Sequence, residues 1–126
     1  MTAQLEHVNI TVTDPDLTAA FLCDLLGWRV RWSGAALDNG YTVHVGGDAG
    51  YLALYRQSKP AQDQAPRYTH RAALNHVGIV VEDLDAIEAK VAAAGFKPKS
   101  HADYEPGRRF YFMGPDGVEY EMISYR

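Results

Sequence analysis

An α+β fold is what this sequence predicts: two tandem βαβββ modules forming one cup-shaped mixed sheet with the helices outside. Three observations lead there. LEHVNITVTD from Leu5 and LNHVGIVVED from Leu74 repeat each other, with His7 over His76. Each segment is followed by a helical pattern that ends in a Gly-aromatic pair, Gly27-Trp28 and Gly95-Phe96, so the repeat spans a whole supersecondary unit. Three strand-like stretches then follow each helix. One such module leaves the far face of its sheet bare, and two can curl together to cover it. The predicted layout is one domain, with module one at 5–56, a linker at 57–73 and module two at 74–126.

In module one, Val8, Ile10 and Val12 alternate with His7, Asn9 and Thr11, a half-buried strand with the histidine on the polar side. Asp14-Pro15-Asp16 starts a helix, with Asp14 as cap and Pro15 in the first turn. Leu17, Phe21 and Leu25 form its predicted apolar stripe, widened by Leu22 and Leu26, and Gly27 stops it. Strands are expected at 28–32, 41–45 and 51–55, separated by Gly- and Asp-rich turns. Residues 57–73 are polar, contain Pro60 and Pro66, and show no apolar period. In module two, Val77, Ile79 and Val81 form the apolar strand face opposite His76. Asp83 or Asp85 caps a helix carrying Leu84, Ile87 and Val91, which Gly95 ends. Strands are expected at 96–99, 109–113 and 118–124, with Gly114-Pro115-Asp116-Gly117 turning between the last two.

The chain has 126 residues, 47% hydrophobic and 22% charged, as an ordinary folded domain does. Its net charge of −4 argues against a nucleic-acid or anionic-membrane partner. It has no apolar run of bilayer length, and MTAQLEH lacks the pattern of a signal peptide, so a cytoplasmic protein is expected. The single cysteine, Cys23, excludes an internal disulfide and reads as a small packed hydrophobe within the first helix.

The last strand places Glu119, Glu121 and Ile123 on one face and Tyr120, Met122 and Ser124 on the other, one of which must be buried. Glu121, among apolar neighbours, is a candidate buried carboxylate in need of a partner. Two neutral imidazoles around a cation would supply one. His7, His76 and Glu121 would then form a two-His-one-carboxylate triad with open positions, suited to Fe(II) or Mn(II).

These segments, together with FYFMGPDGVEYEMIS, resemble the vicinal-oxygen-chelate superfamily along almost the whole chain. That superfamily includes glyoxalase I, fosfomycin-resistance thiol transferases, methylmalonyl-CoA epimerase, extradiol dioxygenases and bleomycin-binding proteins. The resemblance implies paired βαβββ modules with metal ligands on the first and last strand of each. Three of the four ligand places hold His7, His76 and Glu121, and the fourth falls on Ala53, which cannot ligate. Ala53 therefore counts against the four-ligand glyoxalase and epimerase patterns. Two His and one Glu fit the dioxygenases and fosfomycin-resistance enzymes. Phe110, Tyr111, Pro115, Gly117 and Glu121 match the dioxygenase ending, with Tyr111 as the hydroxyl that would help orient substrate. His101 lies one residue too far upstream for that ending, and Gly114 departs from it. Asn9 and Arg109 stand where fosfomycin-resistance enzymes carry Thr and Ser, which counts against phosphonate binding.

The candidate substrate contacts are Asn9, Arg109 and Tyr55, and His101 is a candidate proton shuttle. Arg108 or Arg109 could clamp a carboxylate or phosphate. His44, His70 and His101 have no partner in the repeat, and His70 and Arg71 are expected at the surface. The resemblance implies a small metalloenzyme, most simply a dioxygenase-like oxidoreductase acting on a vicinal-oxygen compound. The alternatives are a redox-silent lyase, isomerase or thiol transferase with Zn(II) or Ni(II), or a drug-binding protein. Short members of the superfamily pair as homodimers, which is the assembly expected here, with a metal site at or near the interface.

Overall fold

Alternation in the first strand and a capped helix behind it set the layers of each module. The computed structural model describes residues 2–125. It divides into two compact units, Met1–Gln62 and Asp63–Arg126.

In the first unit, β1 (His7–Thr11) leads into α1 (Pro15–Leu26), followed by β2 (Arg29–Ala36), β3 (Gly40–Gly46) and β4 (Tyr51–Arg56). The sheet order is β1-β4-β3-β2, with β1 parallel to β4 and the other pairs antiparallel. In the second unit, β5 (Val77–Val80) and α2 (Leu84–Ala93) precede β6 (Lys99–Tyr104), β7 (Gly107–Met113) and β8 (Glu119–Ser124). The order β5-β8-β7-β6 repeats the first sheet, again with one parallel pair. The expected βαβββ repeat is therefore present in both halves. No helix among the described residues is long and apolar enough to cross a membrane.

Equivalent local chemistry builds both helices. Asp14 accepts the Leu17 amide at 3.1 Å, and Asp83 accepts the Ala86 amide at 3.0 Å. Gly27 ends α1 in the left-handed region at φ 71°. Gly95 does the same after α2 at φ 94°, where the Gly95 and Phe96 amides bond back to Ala92 and Val91.

The buried face of α1 carries Pro15, Thr18, Ala19, Leu22 and Leu25. Leu17, expected in that stripe, is 58% exposed, because the helix turns its small residues toward the sheet instead. Cys23 is half-buried, and burial pushes its thiol up from the ordinary range. In the second unit, Phe110, Phe112, Tyr120 and Met122 are fully buried on the face that carries α2.

Several strand limits differ from expectation. β2 begins at Arg29 and runs on to Ala36, and β6 begins only at Lys99. Phe96 is taken up by the helix cap and packs on Phe112, and Pro98 has no amide to give a ladder. β8 is buried on both faces, not one: α2 packs over one, and the side chains of Arg67, Tyr68, Lys99, Arg109 and Tyr111 cover the carboxylates on the other. The second half of the predicted linker, from Asp63, belongs with the second unit.

The turn from β3 to β4 offers a direct test of packing. A Cβ at Gly46 would lie 2.2 Å from the Gly50 carbonyl oxygen and 2.6 Å from Tyr51 Cα, whereas one at Gly47 meets nothing within 4 Å. Gly46→Ala should lower the unfolding free energy by about 1–3 kcal/mol. Gly47→Ala should stay within about 0.5 kcal/mol of wild type in the same urea titrations.

Candidate functional site

In the second unit the face opposite α2 gathers the titratable side chains. Strand parity explains this. Ladder partners Tyr111 and Glu121 share a face, as do Met113 and Glu119. Gly78 pairs with Glu121, so His76, two residues earlier, lies on that face too. His76 Nε2 is 3.2 Å from Glu121 Oε1. The other oxygen, Oε2, accepts from Arg109 Nη1 at 2.8 Å and from the Tyr111 hydroxyl at 3.0 Å. Burial and this hydrogen bond push the Tyr111 phenol up, so it keeps its proton and donates. The His76 ring meets the Tyr111 ring edge-on.

Arg109 is itself buried, with Tyr104 stacked on its guanidinium at 4.5 Å and the Gly107 carbonyl accepting from Nη2 at 3.2 Å. It is the counterion of Glu121, not a free clamp. Arg108 points elsewhere and pairs with Asp85 in the first turn of α2.

A second buried carboxylate lies beside the first. Glu119 meets Lys99 Nζ and Arg67 Nη1, each at 3.3 Å, and accepts the Tyr68 hydroxyl at 2.8 Å. Burial raises its pKa, but the Tyr68 and Lys99 hydrogen bonds and the two positive charges outweigh that, and Glu119 sits below the ordinary carboxylate range. The Tyr68 hydroxyl also lies 3.0 Å from His76 Nδ1. Arg67, Tyr68 and Lys99 were not anticipated. Lys99 marks no motif, and Arg67 and Tyr68 belong to a stretch without periodicity. Glu119 was legible, since parity already put it on the face of Glu121.

His101 is not part of this group. Between Lys99 and Ala102 the β6–β7 register slips, and the bulge turns His101 to the helix side. There its Nε2 meets Glu88 at 2.9 Å and its ring stacks on Phe110. His70 and Arg71 are exposed, as expected.

The first unit presents a different face at the same ladder positions. His7 Nδ1 meets Glu6 at 2.8 Å, and its ring stacks on Tyr51, with centroids 4.9 Å apart. Tyr51 stacks on His44 at 4.6 Å and lies under the Arg31 guanidinium. Asn9 pairs with Ala53, and His44 pairs with Ala53 on the other side. His44 thus holds the place that Tyr111 holds beside Glu121. Burial, aided by the charge of His7, pushes the His44 pKa down. Tyr55 is half-buried and donates to the Leu37 carbonyl at 3.3 Å.

Among the described residues, no three His, Cys, Asp or Glu side chains cluster as a ready-made ion site. Module two does bring together one imidazole nitrogen and one carboxylate oxygen, a donor pair that first-row divalent ions accept. The donor set therefore fits a cation that takes two of its ligands from this module.

Removing Arg109 would leave a buried carboxylate short of its counterion. Arg109→Met, which leaves Glu121 without its cation, should destabilise the protein more than loss of a single neutral hydrogen bond does. Tyr111→Phe, which deletes one hydrogen bond, should cost about 1 kcal/mol, so urea unfolding of the two variants should rank them in that order.

The sequence matches the family model "Glyoxalase/Bleomycin resistance protein/Dioxygenase superfamily" over residues 4–122. The uncharacterized protein YaeR of Escherichia coli (strain K12) is 28% identical over 133 aligned positions, covering 96% of this chain and 95% of that one. A glyoxylase/bleomycin resistance protein/dioxygenase domain from Frankia sp. EAN1pec superposes with a TM-score of 0.83 at 22% identity, covering both chains fully. Glyoxalase I of Leishmania major gives 0.78 at 22% identity, covering 98% of this chain and 88% of that one. The fosfomycin resistance protein FosX of Listeria monocytogenes, in complex with Mn(II), gives 0.75 at 19% identity, covering 98% and 93%. The repeat, the paired βαβββ topology and this match agree, and the chain belongs to the glyoxalase/bleomycin resistance protein/dioxygenase superfamily.

Proposed function

We propose that the chain is a metal-dependent enzyme acting on a small molecule with two neighbouring oxygens, its ion held by His76, Glu121 and His7. The observation that carries this reading is the approach of His76 Nε2 to Glu121 Oε1 at 3.2 Å, each group secured from behind. His76 is backed by Tyr68, and Glu121 by Arg109 and Tyr111. Metal ligands need such outer partners to hold their orientation. His7 enters on the strength of the repeat, because it occupies in module one the position that His76 occupies in module two.

A bound divalent ion would supply Lewis acidity toward the two substrate oxygens and, as Fe(II), electrons for dioxygen chemistry. The residues of the chain shape what can bind. On the module-two face, Arg67, Lys99 and Arg109 outnumber Glu119 and Glu121. That excess favours a substrate whose oxygens carry negative charge. Tyr111, which donates its proton to Glu121, is the hydroxyl proposed to help orient such an oxygen. Asn9 and Tyr55 are the contacts proposed from module one.

Within this reading a dioxygenase-like reaction comes first, with Fe(II) or Mn(II). Ala53 removes the fourth donor and leaves positions open for both substrate oxygens and dioxygen. A homodimer in the cytoplasm is the proposed setting, and light scattering tests the dimer.

Purified protein should carry about one equivalent of iron or manganese per chain, lost in Glu121→Ala and in His76→Ala and retained in His101→Ala. Iron-loaded protein should consume dioxygen with a catechol-type substrate. Metal binding without oxygen uptake would move the assignment to a redox-silent lyase, isomerase or thiol transferase. Failure of wild type to take up any divalent ion would remove the enzyme reading and leave a small-molecule binding protein.

A further inference from the structure

The hydroxyl of Tyr68 sits between two groups, Glu119 Oε1 at 2.8 Å and His76 Nδ1 at 3.0 Å. It has one proton to give. Glu119, flanked by Lys99 and Arg67, is a carboxylate and accepts only. If the tyrosine proton went to His76, two oxygens 2.8 Å apart would face each other with no hydrogen between them. The proton therefore points to Glu119, and the tyrosine oxygen is left to accept. What it accepts can only be a proton on His76 Nδ1.

We propose that Tyr68 and Glu119 are positioning residues that hold His76 as its Nδ1–H tautomer, so that the Nε2 lone pair faces Glu121 Oε1 and awaits a cation. The term cation rests on the metal reading above, whereas the tautomer rests only on the hydrogen bonds.

The backbone supports a purpose for this contact. Tyr68 is 60% exposed and lies at φ 66°, where a residue with a Cβ is strained. Such a conformation persists only when its surroundings impose it. The Tyr68 amide donates to Asn75 Oδ1 at 2.7 Å, and Arg67 donates to the Asn75 carbonyl at 3.0 Å. The linker is thus pinned to the residue just before His76. An exposed tyrosine gains little from packing, and what its strained backbone secures is the hydroxyl between Glu119 and His76.

The consequence at Nε2 is specific. With Nδ1 protonated, a neutral His76 presents a lone pair to the Glu121 oxygen 3.2 Å away. Two acceptors at that distance need a positive centre between them: a second proton supplies it when the ring is imidazolium, and a divalent ion would supply it when the ring is neutral. Without Tyr68 the imidazole is free to carry its proton on Nε2 and donate it to Glu121, which would close the site to an ion.

The test uses the full chain, wild type and Tyr68→Phe, with Glu119→Gln as a second variant whose oxygen still accepts but is uncharged. Nitrogen-15 NMR of the metal-free protein, at alkaline pH where imidazole is neutral, reads the tautomer of His76 directly. Wild type should show protonated Nδ1 and bare Nε2, and Tyr68→Phe should shift toward Nε2–H. Calorimetric titration with Mn(II) should show binding weakened by about 10-fold or more in Tyr68→Phe, with a smaller loss in Glu119→Gln. A wild-type His76 protonated on Nε2, or an unchanged tautomer in Tyr68→Phe, would overturn the proposal even if Mn(II) binds. The expected tautomers without Mn(II) binding would sustain the positioning role and strike down the metal reading instead.

Discussion

A carboxylate buried in the middle of a sheet must be compensated, and the arrangement of module two follows from doing this twice on one strand. Leaving either Glu119 or Glu121 unpaired would cost several kcal/mol, a large part of the net stability of a domain this size. The compensating groups arrive from four places in the chain. β7 supplies Arg109 and Tyr111, β6 supplies Lys99, the approach to β5 supplies His76, and the segment before it supplies Arg67 and Tyr68. A one-residue slip of β8 would turn both carboxylates toward α2 and bring Tyr120 and Met122 out. Register, linker path and charge pairing are therefore one constraint.

The opposite face of the same strands carries the apolar work. Phe110, Phe112, Tyr120 and Met122 are fully buried beneath α2, with the His101–Glu88 pair at the margin of that face, where His101 stacks on Phe110. This division explains why a polar site can be built into so small a unit. Alternation along a strand separates the residues that hold the helix from those that hold charge, so a substitution on one face leaves the other's packing intact.

Much of this was legible from the residues alone. The repeat identified both modules, and Asp14, Asp83, Gly27 and Gly95 marked the helix ends by their capping chemistry. Parity in the last strand, with the family resemblance, brought forward His76, Tyr111, Arg109 and Glu121. The misses share a physical origin in features that break periodicity. His101 was displaced by a β-bulge, which no alternation pattern encodes. Phe96 looked like the start of a strand but completes a helix cap. Leu17 looked like core, yet Thr18 and Ala19 allow α1 to approach its sheet along a face of small side chains. Tyr68 escaped notice because a left-handed tyrosine in a polar, aperiodic segment gives no sequence signal at all.

The two modules share a hydrogen-bonded skeleton and differ in what they mount on it. The Val12 amide bonds to the Tyr55 carbonyl in one, and the Val81 amide to Ile123 in the other, each at 2.8 Å. Along the equivalent ladders, module one has Ala53, Tyr51, Thr42 and His44 where module two has Glu121, Glu119, Arg109 and Tyr111. The differences are coordinated. With both carboxylates gone, the arginine that would balance them is gone as well, since a buried guanidinium without a partner is as costly as a lone carboxylate. Stacked rings of His7, Tyr51 and His44 stand at those places instead, with Glu6 and Arg31 beside them. Among the described residues the buried carboxylates lie in module two, and module one carries the imidazoles of His7 and His44 on the equivalent face. Alanine at position 53 and glutamate at position 121 make the two halves of the repeat chemically unequal.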